Sequence, residues 1–353
     1  MFEIFRGKKI IVTGHTGFKG SWLVAFLSTY GCQIYGLSKD IPSNPSHYSL
    51  LNFTKKIKNY KVDITDQKKI EKIIYKIQPD FIFHLAAQSL VKTSYNDPVL
   101  TFKSNSIGTL NILESLRCLK KKCSVILVTS DKSYKNLEIK RGYKETDLLG
   151  GEDPYSASKA CAELIIQSYI KSYFTNKKIL ISVGRAGNVI GGGDWSKDRL
   201  IPDCFRSWSK KKITVIRNPN STRPWQHVIE VVYGYMVLAK TLYNNPKLHG
   251  EVFNFGPSYK KNYKVEEILT FFKSIWSTCK WRVNTKDADQ KESVLLKLNS
   301  TKANQILKWK TLLSFKETLI YTLNWYKEYY LNKSKIITID QINSYKKKIK
   351  NLK

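Results

Sequence analysis

The chain has 353 residues, a hydrophobic content of 42% and a formal net charge of +32. This composition provides a core for one large or two modest domains, and no apolar run approaches the roughly 20 residues that a membrane span needs. The positive charge is mostly lysine spread along the whole chain, which argues against a dedicated nucleic-acid surface.

The first predicted element is a strand, residues 9–12, that leads directly into a glycine-rich turn. The turn places Gly14, Gly17 and Gly20 in the spacing G-x-x-G-x-x-G, and the apolar stretch 22–27 then predicts a helix. This order is typical of a dinucleotide site, because glycines let the backbone approach a pyrophosphate and a helix N-terminus offers unpaired N–H groups. We therefore expect a dinucleotide cofactor at this turn.

Strand and helix candidates alternate through the first half of the chain. The strands are predicted at 33–37, 59–64, 81–85, 125–128 and 179–183, and the helices at 67–77, 105–119 and 153–175. Asp66 is expected to cap the first of these helices. The alternation predicts an α/β fold with a Rossmann-like, doubly wound parallel sheet.

The alternation stops after about residue 184. Further helices are predicted near 228–243, 264–276, 301–307 and 314–331. We interpret 1–183 as a dinucleotide-binding Rossmann domain with a later return segment near 213–255, and 184–331 as a smaller, partly interleaved, mainly substrate-binding domain. Residues 332–353 are expected to form a basic peripheral tail, because their end is rich in lysine.

The six cysteines are scattered and contain no Cys-x-x-Cys spacing. This pattern predicts free thiols rather than a disulfide framework or a metal site. The N-terminus passes into a strand without a signal-peptide pattern, so we expect a cytoplasmic protein.

Two segments in the first half carry groups suited to proton transfer. Tyr155 precedes Lys159 by four residues, so a helix places both side chains on one face. An ammonium near a phenol lowers the phenol's pKa, and such a phenol can take a proton from an alcohol as a hydride leaves the same carbon. Residues 129–132, Thr-Ser-Asp-Lys, follow the predicted strand 125–128 and add a hydroxyl, a carboxylate and an amine.

Several longer strings occur together in a characteristic order. They are residues 13–22, 84–91, 129–132, 150–159, 185–195 and 223–228. Over roughly residues 5–330 the chain resembles the extended short-chain dehydrogenase/reductases that act on nucleotide sugars. The dTDP-glucose and GDP-mannose dehydratases of that family carry Glu where this chain has Lys132, which points to the CDP-glucose branch.

The resemblance implies an internal redox elimination that yields a 4-keto-6-deoxy sugar and water. Tyr155 would take the C4 hydroxyl proton, with Ser130 on the same oxygen and Lys159 lowering the pKa of the phenol. Asp131 would protonate the leaving C6 hydroxyl, which requires that burial raise its pKa. Lys132 would act at C5, either as a neutral base or as a cation that stabilises the enolate.

The same resemblance assigns binding residues and partners. Those expected at the cofactor, NAD, are Gly14, Gly17, Phe18, Gly20, Asp63, Ile64, Ala86, Ala87, Gln88 and Lys159. Those expected at the substrate, CDP-glucose, are Asn188, Arg199, Arg223 and His227, with Gln226 adjacent. A homodimer or higher homo-oligomer is implied, through helices 105–119 and 155–174.

Three questions stay open at the level of sequence. The second strand ends in Leu37-Ser38-Lys39-Asp40, so no acid follows it directly and the local sequence permits NADP as well as NAD. Trp195 and Trp225 belong either to the core or to a stacking surface for the substrate. The closest alternative is another enzyme of the same family, either a dehydratase for a different nucleotide sugar or an epimerase. An epimerase, however, has no use for an acid–base pair at C5 and C6.

Overall fold

The computed structural model describes residues 2–53, 57–139, 141–176, 178–257, 262–284, 296–332 and 335–351. Its strands are β1 (Lys9–Thr13), β2 (Gln33–Ser38), β3 (Ile57–Lys61), β4 (Phe81–His84), β5 (Cys123–Ser130), β6 (Ile179–Ala186), β7 (Val189–Ile190), β8 (Thr214–Ile216), β9 (Thr222–Arg223), β10 (Gln226–His227), β11 (Val252–Phe255), β12 (Tyr263–Lys264) and β13 (Trp281–Val283). Lys333, Ser334, Leu352 and Lys353 of the predicted tail lie outside the described residues.

The α-helices account for most of the remaining regular structure. They are α1 (Phe18–Ser28), α2 (His47–Leu50), α3 (Gln67–Ile77), α4 (Val91–Asn96), α5 (Pro98–Phe102), α6 (Gly108–Leu116), α7 (Pro154–Tyr173), α8 (Leu200–Trp208), α9 (Val228–Asn244), α10 (Val265–Ile275), α11 (Thr301–Leu307), α12 (Phe315–Leu331) and α13 (Thr338–Lys350). A single π-helical segment, Lys103–Ile107, joins α5 to α6.

The central sheet is parallel throughout and has the strand order β11-β6-β5-β4-β1-β2-β3. Helices α3, α6 and α7 cover one face, and α1 and α9 cover the other. The predicted Rossmann-like α/β fold is therefore confirmed. The direction of winding reverses between β1 and β4, so the carboxyl ends of these two strands border a crevice in which such folds bind ligands.

The chain returns to the sheet after leaving it. Helix α9 packs against β5 and β6, and β11 then pairs with β6 at the sheet edge. Strand β8 pairs instead with β13 in a separate two-stranded sheet. The return to the central sheet therefore covers residues 228–255, whereas the division into two domains stays a prediction.

Local sequence signals account for several helix ends. Asp66 caps α3, because its Oδ1 accepts the Lys69 N–H at 3.1 Å, and the predicted bounds of that helix are confirmed. The predicted helix 105–119 is instead the end of a longer helical segment that begins at Pro98 and ends at Leu116.

The predicted peripheral tail is wrong for the described residues, because they form a packed helix. Helix α13 lies against α1 and buries Ile342, Tyr345 and Ile349. The Tyr345 hydroxyl donates a 2.5 Å hydrogen bond to the buried Glu230 carboxylate. These apolar residues recur at helical spacing, but the lysines between them made the segment look like a solvated tail in the sequence.

Surface features bear on two of the remaining expectations. Within the described residues, no helix combines the length and apolar character needed to cross a membrane. Val99, Phe102 and Ile107 on one predicted contact helix and Leu164 on the other are exposed. Association of two chains through these helices stays a prediction.

We predict that Tyr345→Phe lowers the free energy of unfolding by about 1–2 kcal/mol, because the buried Glu230 carboxylate loses a hydroxyl donor. Chemical denaturation would measure the change. The matched control is Lys347→Ala on the exposed face of α13, which we expect to be neutral. Equal stability of Tyr345→Phe and the unsubstituted protein would show that the hydrogen bond does not anchor α13.

Candidate active site

The glycine turn forms a tight cradle at the carboxyl end of β1. Gly14 has a φ of +69°, and a Cβ there would lie 2.7 Å from the Ala86 nitrogen. A Cβ on Gly20 would lie 2.1 Å from the Gly14 carbonyl oxygen. Gly17 is the N-cap of α1, which begins at Phe18 without a side-chain cap. The unpaired N–H groups of this helix end fit a dinucleotide pyrophosphate.

The other predicted cofactor residues lie at the carboxyl ends of β3 and β4, on the same edge of the sheet as the turn. Asp63 Oδ1 accepts the Thr65 N–H at 2.9 Å, and Ile64 is buried. Ala86 and Ala87 follow β4, where the Gln88 side chain donates to the Thr101 hydroxyl at 2.9 Å. Their contacts with a cofactor stay predictions.

His15 is a residue of the turn that our sequence reasoning missed. Its Nδ1 lies 2.9 Å from the Ser38 hydroxyl and its Nε2 lies 2.8 Å from Asn59 Oδ1. Burial lowers its pKa. Ser38 is therefore engaged within the protein, while Lys39 and Asp40 are exposed at the end of β2. The sequence signal that could have identified His15 is its position as a polar residue inside the glycine fingerprint.

The predicted catalytic residues converge where β5 ends. Ser130 is the last residue of β5, and its hydroxyl donates to Asp131 Oδ1 at 2.9 Å. Tyr155 occupies the first turn of α7, and Ser130 acts to lower the pKa of its phenol. Lys132 follows in a partly exposed 3-10 turn. A hydroxyl, a carboxyl group and a phenol thus lie at the same end of the sheet.

Burial sets the protonation of these groups. It raises the pKa of the Asp131 carboxyl, as predicted. It also raises the pKa of Tyr155, whereas the Ser130 hydrogen bond and the charge of Arg199 lower it. In this structure burial outweighs these lowering effects, and the role of Lys159 toward Tyr155 stays a prediction. Burial lowers the pKa of Lys159 itself to about 8.

A buried ion pair is hydrogen-bonded to the residues that flank Ser130, Asp131 and Lys132. The Glu163 carboxylate accepts hydrogen bonds from Arg185 Nε at 2.8 Å, from the Thr129 hydroxyl at 2.6 Å and from the Ser133 hydroxyl at 3.0 Å. Glu163 and Arg185 are each 1% exposed. Glu163 also lies one turn beyond Lys159 on α7, where its charge opposes the burial effect on the pKa of Lys159.

Three of the predicted substrate residues remain partly or fully accessible. Arg199 pairs with Asp194 at 3.3 Å, and Asn188 is exposed in the loop after β6. Arg223 is partly exposed on β9, where its Nη1 donates to the Thr222 carbonyl at 2.8 Å. Their contacts with a substrate stay predictions.

His227 is not available to a substrate, which corrects its predicted role. The side chain is 0% exposed and caps α9 by accepting the Ile229 N–H at 3.2 Å. Its ring packs edge-on against Trp22 at 5.5 Å. The adjacent Gln226 is also buried. The sequence did not distinguish the two roles, because polar residues such as Gln226 and His227 are as suited to capping a helix as to binding a ligand.

The open question about the two tryptophans is answered by burial. Trp195 is 4% exposed and Trp225 is 5% exposed. Their indole N–H groups donate to the Tyr330 hydroxyl at 3.2 Å and to the Tyr263 carbonyl at 3.1 Å. Both belong to the core.

Lys19 is a second residue that our sequence reasoning missed. It lies in the first turn of α1, inside the glycine fingerprint. Burial lowers the pKa of its ammonium to about 8; the charges of Arg199 and Lys159 also lower it, whereas the charge of Asp131 raises it. The signal was a cation at a helix N-terminus, where the helix dipole disfavours positive charge.

Known structures define the class to which this architecture belongs. An epimerase from Methanothermobacter thermautotrophicus superposes with a TM-score of 0.81 and 24% identity, covering 94% of this chain and 95% of that one. UDP-glucose 4-epimerase from Thermotoga maritima gives 0.75 and 23%, covering 91% and 99%. The chain therefore has the fold of these two epimerases.

Sequence comparison identifies the family. Residues 11–322 match the family described as GDP-mannose 4,6 dehydratase, and this chain belongs to it. CDP-glucose 4,6-dehydratase from Salmonella typhimurium is 40% identical over 332 residues, which are 92% of each chain. The resemblance inferred from the motifs is thus confirmed.

We predict that Glu163→Gln lowers the free energy of unfolding by about 3–5 kcal/mol, because the buried Arg185 guanidinium loses its counter-charge. The same change moves the pKa of Lys159 below about 8, because the charge that opposes burial is gone. Denaturation and NMR of isotope-labelled lysine would measure both effects. Glu152→Gln, at an exposed carboxylate before α7, should change neither, and an unmoved Lys159 titration in Glu163→Gln would contradict the assignment.

Proposed function

We propose that this protein is a CDP-glucose 4,6-dehydratase, a carbon–oxygen lyase that converts CDP-glucose to CDP-4-dehydro-6-deoxyglucose and water. The carrying observation is the group of residues at the end of β5, where the Ser130 hydroxyl donates to a buried acid, Asp131, and acts on the pKa of the buried Tyr155. The 40% identity to a CDP-glucose 4,6-dehydratase supports the substrate. We also propose a cytoplasmic location.

NAD is the proposed cofactor, and the glycine cradle supports its pyrophosphate. A Cβ on Gly14 or Gly20 would collide with backbone atoms of Ala86 or Gly14, so glycines keep the turn tight, and the N–H groups at the start of α1 would hold the anion. Lys159 would hold the nicotinamide ribose. The chemistry that NAD supplies when bound is hydride transfer: it accepts a hydride from C4 of the sugar and returns it to C6.

The oxidation step requires a base at the C4 hydroxyl. Tyr155 takes this proton, and Ser130 holds the same oxygen. The raised pKa of the phenol opposes this role, so cations near the site must favour the phenolate. Arg199 already acts in that direction.

The elimination step requires an acid at the C6 hydroxyl. Burial raises the pKa of the Asp131 carboxyl, which favours the protonated acid that this step needs. This acid distinguishes the proposal from an epimerase, which has no leaving group to protonate.

Proton removal at C5 is assigned to Lys132. The residue follows Asp131 directly in the 3-10 turn, so acid and base lie on one short segment. A lysine acts as a base only when it is neutral. The alternative role is a charged lysine that stabilises the enolate.

The substrate assignment predicts a new C6 methyl signal by NMR when the protein is mixed with CDP-glucose and NAD, without an added reductant. dTDP-glucose, UDP-glucose and GDP-mannose serve as parallel substrates and should give no comparable signal. A methyl group formed faster from another nucleotide sugar would reassign the substrate. A C4-inverted sugar without a methyl group would identify an epimerase.

The role of Lys132 predicts that Lys132→Met slows formation of the methyl product by roughly 100-fold, whereas Lys132→Glu retains much of the rate because it also offers a base. Oxidation of CDP-6-deoxyglucose, which has no leaving group, should be normal in both variants. The absorbance of reduced nicotinamide would report that step. Full dehydration by Lys132→Met would exclude the base assignment.

A further inference from the structure

The loop that follows β7, residues 191–195, is held by hydrogen bonds from two helices. The indole N–H of Trp22 in α1 donates to the Gly192 carbonyl at 2.9 Å. The Tyr326 hydroxyl in α12 donates to the Asp194 carbonyl at 2.6 Å. Both donors are buried, so the backbone of this loop has a fixed position relative to α1 and α12.

Close packing also fixes the loop. A Cβ on Gly192 would lie 1.9 Å from the Trp325 ring, and a Cβ on Gly193 would lie 2.5 Å from the His47 ring. Gly193 has a φ of +85°, which glycine adopts without strain. The loop therefore lies directly on buried rings and cannot shift without displacing them.

The Asp194 carboxylate takes its orientation from this loop. Its Oδ1 accepts the Ser196 N–H at 2.9 Å, and its Oδ2 lies 3.3 Å from Arg199 Nη1. The side chain of Asp194 is 6% exposed, whereas that of Arg199 is 34% exposed. A guanidinium has five N–H donors, so Arg199 can keep this ion pair and still bind an anionic ligand from solvent.

The ion pair borders the proposed active site. A small cavity of about 20 Å³ separates the loop from the glycine turn, and its lining includes Thr16 and Phe18 on one side and Gly193 and Asp194 on the other. The charge of Arg199 also lowers the pKa of Tyr155. Arg199 is therefore close to both the cofactor turn and the catalytic phenol.

We infer that Asp194 is a positioning residue, and that its fixed carboxylate holds the Arg199 guanidinium in place for the diphosphate of CDP-glucose. The inference rests on the proposed function. An arginine without such a partner samples many rotamers, and fixing them when the ligand binds costs free energy. Asp194 fixes the side chain before the ligand arrives, so it should act on binding only through Arg199.

Asp194→Asn tests the inference, because it keeps an oxygen for the Ser196 N–H and removes the charge. We expect the KM for CDP-glucose to rise roughly 3- to 10-fold, with kcat within about twofold. The matched control is Asp198→Asn, at an exposed carboxylate that pairs with Lys92 at 3.2 Å; it should match the unsubstituted protein. An unchanged KM in Asp194→Asn would overturn the inference, and a lower KM would show that the carboxylate competes with the ligand for Arg199.

A double-mutant cycle separates positioning from a structural role. Asp194→Asn combined with Arg199→Met should have the KM of Arg199→Met alone, because Asp194 has then nothing to hold. Additive effects would show that Asp194 acts on the ligand directly or through the fold of the loop, and would overturn the inference. Chemical denaturation should give Asp194→Asn and Asp198→Asn similar stability.

A further measurement does not depend on the substrate. NMR relaxation of arginine side chains, with the Arg199 signal assigned by its loss in Arg199→Met, should show an ordered Arg199 Nε in the ligand-free protein, unlike that of the exposed Arg6. This order should fall in Asp194→Asn and persist in Asp198→Asn. A mobile Arg199 in the unsubstituted protein would overturn the inference without any variant. Conversely, an Arg199 that Asp194 orders in a protein without CDP-glucose dehydration would overturn the proposed substrate and leave the pairing supported.

Discussion

The buried pair of Glu163 and Arg185 is the constraint on which the site depends. It joins α7 to β6, and the hydrogen bonds from Thr129 and Ser133 extend it to the end of β5 and the turn beyond. A buried charge pair tolerates few alternative arrangements, because any displaced charge lacks both partner and water. The pair therefore fixes the distance between the helix that carries Tyr155 and the strand end that carries the acid.

Burial then sets the charge of the groups that this frame holds. It favours a protonated Asp131 and lowers the pKa values of Lys19 and Lys159, each to about 8. The same burial opposes ionisation of Tyr155. Enclosure thus favours the acid needed for elimination and opposes the base needed for oxidation. A site of this kind needs cations close to the phenol, and Arg199 acts in that direction.

The sequence was sufficient where a local signal and the tertiary structure agreed. The alternation of strands and helices predicted the parallel sheet, and Asp66 marked a helix start that the structure confirms. Sequence reasoning failed where tertiary packing gave a segment a structure that its local residues did not indicate. Helix α13 carries enough lysine to resemble a frayed terminus, yet Tyr345 is fully buried. His227 has the chemistry of a ligand contact, but its position makes it a helix cap.

Lys19 shows why the rest of the site was beyond sequence reasoning. The glycine fingerprint explained its neighbours through backbone geometry, so a side chain between two of the glycines attracted no separate role. Asp131, whose charge acts on the pKa of Lys19, lies more than a hundred residues away in sequence, and the order of β1, β4 and β5 in the sheet brings the two strand ends to the same edge. Sequence reasoning could not find an effect that depends on this order of strands.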